Sequence, residues 1–321
     1  MVGRKSSVIS VIIPLYNKSQ YIHRALDSVL RQSFQDFDCI VVDDGSTDGS
    51  GDIVREINDS RIRVIAQTNA GVSAARNRGV REAASELIAF LDADDAWEPL
   101  FLETILRLRQ AFPQAGAYAT AYRIRKPDRQ EYIMDYKGIP KAPWEGIIPD
   151  YFVSVIKTPP ILSSIVSIPK NVFRDVGFFA EGVARGEDSE MWLRVALKYP
   201  IAFSHYIGAT YHQESSNRAC NTTAIPADPL ILSTIRQTLL KENMEHRLSG
   251  KLRAYHDLII TEYARTFLLE GKRKAARKLI GRYFGCRKEG CVLCTLSFLP
   301  DSLLRAVLAI RRCLKDRLAI E

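Results

Sequence analysis

The sequence predicts an α/β fold, with a mostly parallel sheet that carries helices on both faces, followed by a C-terminal helical extension. Two observations support this prediction. Over the first 120 residues short apolar runs alternate with helical stripes, and from about residue 227 onward the pattern is helical without strand signals. The 321-residue chain is 46% hydrophobic and 26% charged, an ordinary globular composition that excludes disordered, collagen-like and disulfide-stapled proteins.

Continuous apolar runs predict the strands, because strands buried on both faces are apolar throughout. The predicted strands are residues 8–14, 37–42, 61–66 and 87–91, with a later one at 201–211. Apolar residues that recur every three or four positions predict the helices. The predicted helices are residues 19–31, 53–57, 72–84, 100–111 and 188–197. The stretch 125–185 is rich in proline and is predicted to be irregular.

Charge divides the chain into two parts. The formal net charge is +8, and residues 241–321 alone carry +9, which leaves residues 1–240 near −1. A basic segment on a near-neutral body favours an anionic partner, either lipid or nucleic acid. The predicted division is a domain over residues 1–225, with halves at about 6–120 and 121–225, and a basic helical region over 226–321.

The end of the basic region is predicted to form an amphipathic helix. Residues 301–318 place apolar side chains on one face and arginine and lysine on the rest. Such a helix either lies in a membrane interface and attracts anionic lipid, or packs on the domain with its basic face in water. The charge-free run before it, residues 290–300, is eleven residues long, whereas a membrane span needs about 20.

Three acidic clusters follow apolar runs, at residues 43–48, at residues 92–95 and at Glu187-Asp188. Carboxylates gathered at strand ends repel one another, so a cation or hydrogen bonds must compensate. The pattern Asp92-x-Asp94-Asp95 suits Mg²⁺ or Mn²⁺, which are held by few carboxylates together with substrate phosphates. A lone Asp-x-Asp pattern also occurs as a helix cap or a turn, and Glu187-Asp188 also suits the N-terminus of a helix.

A glycine-containing loop leads into the predicted third helix at residues 69–79, which include Arg76 and Arg78. Helix N-termini and arginines both favour phosphate, although a plain amphipathic helix with solvated arginines has the same pattern. No G-x-G-x-x-G opens the first helix and no G-x-x-x-x-G-K-[ST] occurs, which disfavours dinucleotide dehydrogenases and P-loop enzymes.

Taken in order, these motifs resemble glycosyltransferase family 2, over about residues 6–215. The matching segments are residues 8–17, 43–48, 69–79, 92–95 and Glu187-Asp188. The resemblance implies a GT-A fold, which is Rossmann-like, with a nucleotide-sugar half followed by an acceptor half. It also implies inverting transfer of a sugar from a nucleotide diphosphate sugar, expected to be a UDP-sugar, to a hydroxyl of a glycan or polyprenyl-linked acceptor in bacterial polysaccharide synthesis.

The resemblance assigns donor-side roles to several residues. Asp43 is expected to contact the nucleobase, with Pro14 and Tyr16 lining the same pocket. Asp92 is expected to face the ribose or the sugar. Arg76 and Asn77 are also expected to contact the donor. Asp94 and Asp95 are expected to bind a Mg²⁺ or Mn²⁺ ion, and the resemblance does not decide which of the two is the main ligand.

The resemblance also assigns the acceptor side. Asp188, beside Glu187, resembles the catalytic base that takes the proton of the acceptor hydroxyl. Trp192 is expected either to line the acceptor site or to belong to the core. His212 is expected either to approach the diphosphate or metal, or to serve only the structure.

Two other classes stay open as alternatives. A nucleotidyltransferase acting on sugar phosphates shares the sheet and the acidic metal site, but it needs a glycine-rich loop after the first strand, and residues 15–19 contain no glycine. A non-enzymatic basic protein that binds membrane or nucleic acid explains the charge but not five ordered motifs. The expected location is cytoplasmic, either free in the cytoplasm or peripheral on the inner face of the cytoplasmic membrane, with no nucleic-acid partner.

Overall fold

The parallel core of the fold comes from the first ninety residues. The computed structural model describes residues 7–215, 226–240, 246–284 and 294–299. Its first strands are β1 (Ile9–Leu15), β2 (Phe37–Asp43), β3 (Ile62–Ala66) and β4 (Leu87–Phe90). Strand β1 pairs in parallel with both β2 and β4, and β2 pairs in parallel with β3. These four strands confirm the predicted ones.

Helices follow the strands, as the periodicity predicts. They are α1 (Ile22–Leu30), α2 (Ser50–Arg55), α3 (Val72–Glu82) and α4 (Phe101–Ala111). Helix α1 buries Ile22, Leu26 and Val29, which is the apolar stripe that predicts it. Helix α2 lies about three residues earlier than predicted, because Asp48 accepts hydrogen bonds from the N–H of Ser50 at 3.0 Å and of Ser19 at 2.9 Å and thereby fixes the turn before it.

The second half of the sheet differs from the prediction. Its strands are β5 (Ala96–Trp97), β6 (Ala117–Arg125), β7 (Glu131–Ile133), β8 (Glu145–Ile147), β9 (Val166–Pro169) and β10 (Ile201–His212). Its helices are α5 (Tyr151–Lys157), α6 (Lys170–Val176) and α7 (Glu187–Lys198). The stretch expected to be irregular therefore contains short regular elements, and β6 is a strand that the apolar runs did not predict.

The sheet is mixed where a mostly parallel one was expected. The strand order is β3-β2-β1-β4-β9-β6-β10-β5, with β7 on β6 and β8 on β10. Strand β9 runs antiparallel to both β4 and β6, whereas β6 and β10 are parallel. Because β9 is antiparallel to both of its neighbours, β6 and β10 run in the same direction as β1, β2 and β4. The carboxyl ends of these five strands therefore lie at one edge of the sheet. This edge receives the acidic clusters and His212.

The chain divides into two units, Met1–Ala224 and Ile225–Glu321. The helices described in the second unit are α8 (Leu230–Leu239), α9 (His246–Leu269) and α10 (Arg273–Tyr283). Helix α10 buries Leu279 and Ile280 and leaves Lys274, Lys278 and Arg282 exposed. The amphipathic helix predicted at 301–318 lies outside the described residues. Within the described ranges no helix is long and apolar enough to cross a membrane.

Close packing of α3 on β1 predicts the effect of one substitution. A Cβ added at Gly79 would lie 2.4 Å from Cγ2 of Ile12, which is fully buried. We expect Gly79→Ala to lower the free energy of unfolding of the first unit by about 1–3 kcal/mol, because β1 must shift to admit the methyl group. Urea unfolding followed by tryptophan fluorescence measures this, since Trp97, Trp144 and Trp192 all lie in the first unit.

The control is Arg78→Ala on the same helix, where the side chain is half-exposed and pairs with Glu82. Its effect should stay within about 0.5 kcal/mol. An equal effect of the two substitutions would contradict close packing at Gly79.

Candidate active site

Asp43 ends β2 and is held in one orientation. It is 6% exposed, and its Oδ1 accepts a hydrogen bond from the N–H of Ser46 at 3.0 Å. A Cβ on Gly51 would lie 2.2 Å from Asp43 Oδ2, so the glycine leaves space for the carboxylate. In the neighbouring strand Leu15 is the register partner of Asp43. The half-buried Pro14 and the exposed Tyr16 thus flank the register partner of Asp43 in the chain, and a nucleobase pocket shared by the three residues stays a prediction.

Asp44 organises the loop before α3, a role that the sequence analysis missed. Its Oδ1 accepts from Gln67 Nε2 at 2.7 Å and from the N–H of Ala70 at 2.9 Å, and its Oδ2 accepts from the N–H of Gly71 at 2.8 Å. Two N–H groups of the glycine loop are therefore already bonded within the protein. The doubled aspartate at the end of β2 is the sequence signal that marked this residue.

Arg76 and Asn77 lie inside the protein, which departs from their expected contact with the donor. Arg76 is 3% exposed and donates to Asp92 Oδ1 at 2.9 Å and to Glu187 Oε1 at 3.0 Å. Asn77 is 1% exposed, and its amide exchanges hydrogen bonds with the N–H of Phe179 at 3.0 Å and the carbonyl of Phe179 at 2.9 Å. Burial opposes the charge of Arg76, but the surrounding carboxylates outweigh it and raise the pKa of the guanidinium. Both side chains therefore serve protein partners.

The acidic motif after β4 separates its three aspartates. Asp92 is 31% exposed on its side chain and Asp94 is 14% exposed, with Lys18 Nζ at 2.6 Å from Asp94 Oδ2. Asp95 is 1% exposed, accepts from the N–H of His212 at 2.9 Å, and also accepts from the hydroxyl of Ser164. Burial, together with the charges of Asp94 and Asp92, raises the pKa of Asp95 well above its ordinary value.

These positions decide how a divalent ion fits. In the described ranges no three His, Cys, Asp or Glu side chains form a metal cluster. Both carboxylate oxygens of Asp95 accept hydrogen bonds within the fold, so Asp95 is a poor metal ligand. This differs from the expectation that Asp95 binds the ion together with Asp94. Asp92 and Asp94 each keep one carboxylate oxygen without a partner among the described residues. Mg²⁺ and Mn²⁺ are bound by one or two carboxylates plus phosphate oxygens, and this donor set fits that requirement.

Glu187 and Asp188 begin α7, after Gly186 in the left-handed region at φ 86°. Glu187 is 9% exposed and paired with Arg76, and burial together with the charge of Asp188 raises its pKa. Asp188 is half-exposed, and among the described residues its carboxylate accepts only from the N–H of Ser189, at 2.6 Å, and from its hydroxyl, at 3.2 Å. Asp188 is thus the accessible member of the pair.

Trp192 belongs to the core rather than to an open acceptor site. It is 2% exposed, and its ring packs edge-on against Phe179 with centroids 5.7 Å apart. Of the two expectations for Trp192, the structure supports packing.

His212 ends β10 beside the acidic motif. Its ring is 4% exposed, and Nδ1 lies 3.2 Å from Glu214 Oε1, which also accepts from Arg24 Nη1 at 2.7 Å. Burial, with the charge of Arg24 adding to it, lowers the pKa of His212 to about 4. The imidazole is therefore neutral at neutral pH. Lys18 and Arg24 are the cations that the sequence analysis missed on this side, because their acidic partners are distant in the sequence.

Comparisons with known proteins agree with this architecture. The family model described as Glycosyl transferase family 2 matches residues 10–151. An uncharacterized glycosyltransferase of Nostoc sp. is 42% identical over 111 residues, which are 34% of this chain and 34% of that protein. One of Rickettsia felis is 32% identical over 197 residues, 60% of this chain and 31% of that protein. The chain thus spans about a third of the length of these relatives.

Solved structures share the fold. S. aureus TarS 1–349 in complex with UDP-GlcNAc superposes with a TM-score of 0.68 at 20% identity, covering 93% of this chain and 87% of that one. The mannosyltransferase PcManGT of Pyrobaculum calidifontis, in complex with GDP-Man and Mn²⁺, gives a TM-score of 0.59 at 18% identity, covering 96% and 81%. The predicted fold class is confirmed. The family match lies inside the first unit, so residues 10–151 of this chain are similar to glycosyltransferase family 2.

Proposed function

We propose that this protein is an inverting glycosyltransferase that moves a sugar from a nucleotide diphosphate sugar, a UDP-sugar, to a hydroxyl of a glycan or lipid-linked acceptor. The observation that carries the proposal is the partition of acids at one sheet edge. Asp43 is held by the N–H of Ser46 at the end of β2, Asp94 lies beside Lys18, and Asp188 is accessible. Support for the donor class comes from TarS and PcManGT, whose structures contain UDP-GlcNAc and GDP-Man.

Asp188 is the proposed general base. It takes the proton from the acceptor hydroxyl while that oxygen attacks the anomeric carbon and the bond from this carbon to the diphosphate oxygen breaks. Displacement from the opposite face inverts the anomeric centre. A positioned base contributes typically 10²–10⁴-fold to the rate. Glu187 is unsuited to this role, since its carboxylate is buried against Arg76.

The donor is proposed to lie between β1, β2 and the acidic motif. Asp43 accepts a hydrogen bond from the nucleobase, and the exposed Tyr16 ring covers the base beside Pro14. Lys18 and Arg24 bring positive charge to the diphosphate. Asp94, together with the unpaired carboxylate oxygen of Asp92, would hold Mg²⁺ or Mn²⁺. When bound, this ion would neutralise the negative charge of the leaving diphosphate.

The proposed location is the inner face of the cytoplasmic membrane. Support comes from the +9 charge of residues 241–321 and from the exposed cations Lys274, Lys278 and Arg282 along one face of α10. Each Lys or Arg near an anionic surface contributes about 1 kcal/mol of attraction. The apolar run from residue 290 and the helix predicted after it would add burial in the interface.

Asp188→Asn tests the base. We expect kcat to fall about 10²–10⁴-fold with donor affinity nearly unchanged, because the amide keeps the shape of the side chain but cannot accept the proton. Steady-state kinetics with a nucleotide-sugar panel and calorimetric donor binding measure the two quantities. Asp175→Asn, an exposed acid elsewhere in the first unit, is the matched control. Near-normal turnover of Asp188→Asn would move the base to another residue.

A pair of substitutions separates the nucleotide contact from the metal contact. Asp94→Ala should abolish the Mn²⁺ dependence of donor binding, since it removes the accessible metal ligand. Asp43→Ala should weaken nucleotide binding about tenfold or more with or without Mn²⁺, the cost of losing a hydrogen bond to a charged group. Calorimetric titration of UDP with and without Mn²⁺ distinguishes them. Equal loss of metal dependence in both variants would refute the assigned roles.

Membrane docking is tested by cosedimentation with anionic liposomes. High salt should release part of the bound protein, because the Debye length of about 8 Å at physiological ionic strength shortens further and screens the cations. Apolar burial resists salt, so release should stay incomplete. Truncation before residue 290 should reduce binding while nucleotide-sugar hydrolysis continues. Full-length protein that ignores anionic liposomes would count against docking, with neutral liposomes as the control.

A further inference from the structure

One buried guanidinium joins the donor side of the site to the acceptor side. Arg76 on α3 contacts Asp92 of the acidic motif at 2.9 Å and Glu187 of α7 at 3.0 Å, and the positions of these two acids are 95 residues apart in the chain. A charge buried to this degree is stable only while its partners stay in place, since removing one leaves an uncompensated charge. Arg76 therefore fixes both acids relative to one another.

Neighbouring contacts fix the chain that leads into α7. Asn77, next to Arg76, holds Phe179 through two backbone hydrogen bonds and reaches Glu181 at 2.8 Å. The Arg76 guanidinium also lies 5.5 Å from the centre of the Phe179 ring. From α7 itself, Arg194 donates to the carbonyls of residues 176–178. The approach to the first turn of α7 is thus held from two helices.

The geometry of a helix explains why this matters for Asp188. Successive side chains on an α-helix point about 100° apart, because a turn contains 3.6 residues. When Glu187 is turned inward onto Arg76, Asp188 is turned away from it, and Asp188 is indeed half-exposed while Glu187 is 9% exposed. The inward contact of Glu187 consequently sets the direction of the neighbouring carboxylate.

We propose that Arg76 is a positioning residue, which orients Asp188 through Glu187 and ties that orientation to Asp92 on the donor side. This assignment rests on the proposed function. Arg76 acts without touching the substrate, because it is 3% exposed and both terminal nitrogens bind carboxylates. A direct phosphate contact, the role expected from the sequence, requires a side chain open to the donor.

The test compares Arg76→Met, Arg76→Lys and Arg78→Met. Arg78 lies two residues further on α3, is half-exposed and pairs with Glu82, so it is the matched control. Arg76→Met should lower kcat about 10²-fold, the cost of misplacing a catalytic group by about 1 Å, and leave the donor Kd within about threefold. Arg76→Lys should recover a large part of kcat, and Arg78→Met should match the parent.

A double-substitution cycle with Glu187→Gln tests the route of the effect. Because Arg76 is proposed to act through Glu187, Glu187→Gln alone should lower kcat with donor binding unchanged. Arg76→Met combined with Glu187→Gln should be no slower than the slower single variant. If Arg76→Met does not fold, Arg76→Gln, which removes the charge but keeps a hydrogen-bonding side chain, replaces it in the same cycle.

Four results overturn the proposal. Weaker donor binding by tenfold or more at unchanged kcat would make Arg76 a donor contact. If the fold-reductions in kcat caused by Arg76→Met and by Glu187→Gln multiply in the double variant, the two residues act independently. A parent chain that turns over no nucleotide sugar removes the proposed function and this assignment together, whereas an active parent whose Arg76→Met variant keeps its kcat removes this assignment alone.

Discussion

Repulsion among carboxylates is the constraint around which this site is built. Five acids meet at the carboxyl end of the sheet: Asp92, Asp94, Asp95, Glu187 and Asp188. Like charges at such distances disfavour the ionised form or demand partners. The structure compensates the five negative charges in different ways. Arg76 serves two of them, Lys18 serves a third, and Asp95 is buried where its neutral form is favoured. Among the described residues Asp188 forms no ion pair and is partly open to solvent, which suits the proposed role of general base.

The parallel strands give these compensations their geometry. Pairing of β1 with β2 sets Leu15 opposite Asp43, and pairing of β1 with β4 brings the acidic motif to the same edge. Because side chains alternate along a strand, a slip of one residue would turn every side chain of β2 to the opposite face. At the carboxyl ends of the strands the N–H of Asp44 donates to the carbonyl of Leu15 at 2.8 Å, and the N–H of Gln67 donates to the carbonyl of Asp43 at 2.9 Å. These backbone hydrogen bonds hold the register on which the site depends.

Local sequence patterns predict the part of the fold that local forces determine. Strands β1 to β4 are apolar runs and were predicted. Strand β6 reads Ala-Tyr-Ala-Thr-Ala-Tyr-Arg-Ile-Arg over Ala117–Arg125, and it is buried through position 122, where β9 and β10 flank it. The pattern of β6 resembles neither a continuous apolar run nor a polar loop. Its assignment needs the neighbouring strands, which a single sequence does not place.

The same distinction holds within the site. The acidic motif and the Glu187-Asp188 pair are visible in the sequence, because their residues are adjacent. The partners that decide each role are not adjacent: Lys18 reaches Asp94 across 76 positions, and Ser164 reaches Asp95 across 69. Sequence reasoning therefore proposed Asp94 and Asp95 together as metal ligands, whereas the packed structure separates an accessible acid from an internal one.

Helix α3 links the two halves of the domain, which explains why its residues are buried rather than turned to a ligand. Asp44 fixes the loop at its start, Gly79 allows its close approach to β1, and Arg76 and Asn77 extend from it to the acceptor half. A helix that packs on the donor strands and also holds the first turn of α7 makes one rigid unit of elements that are far apart in sequence. In the proposed transfer reaction, alignment of Asp188, the proposed base, with the anomeric carbon would then depend on contacts within the protein core, and little of it would have to be established by the substrates themselves.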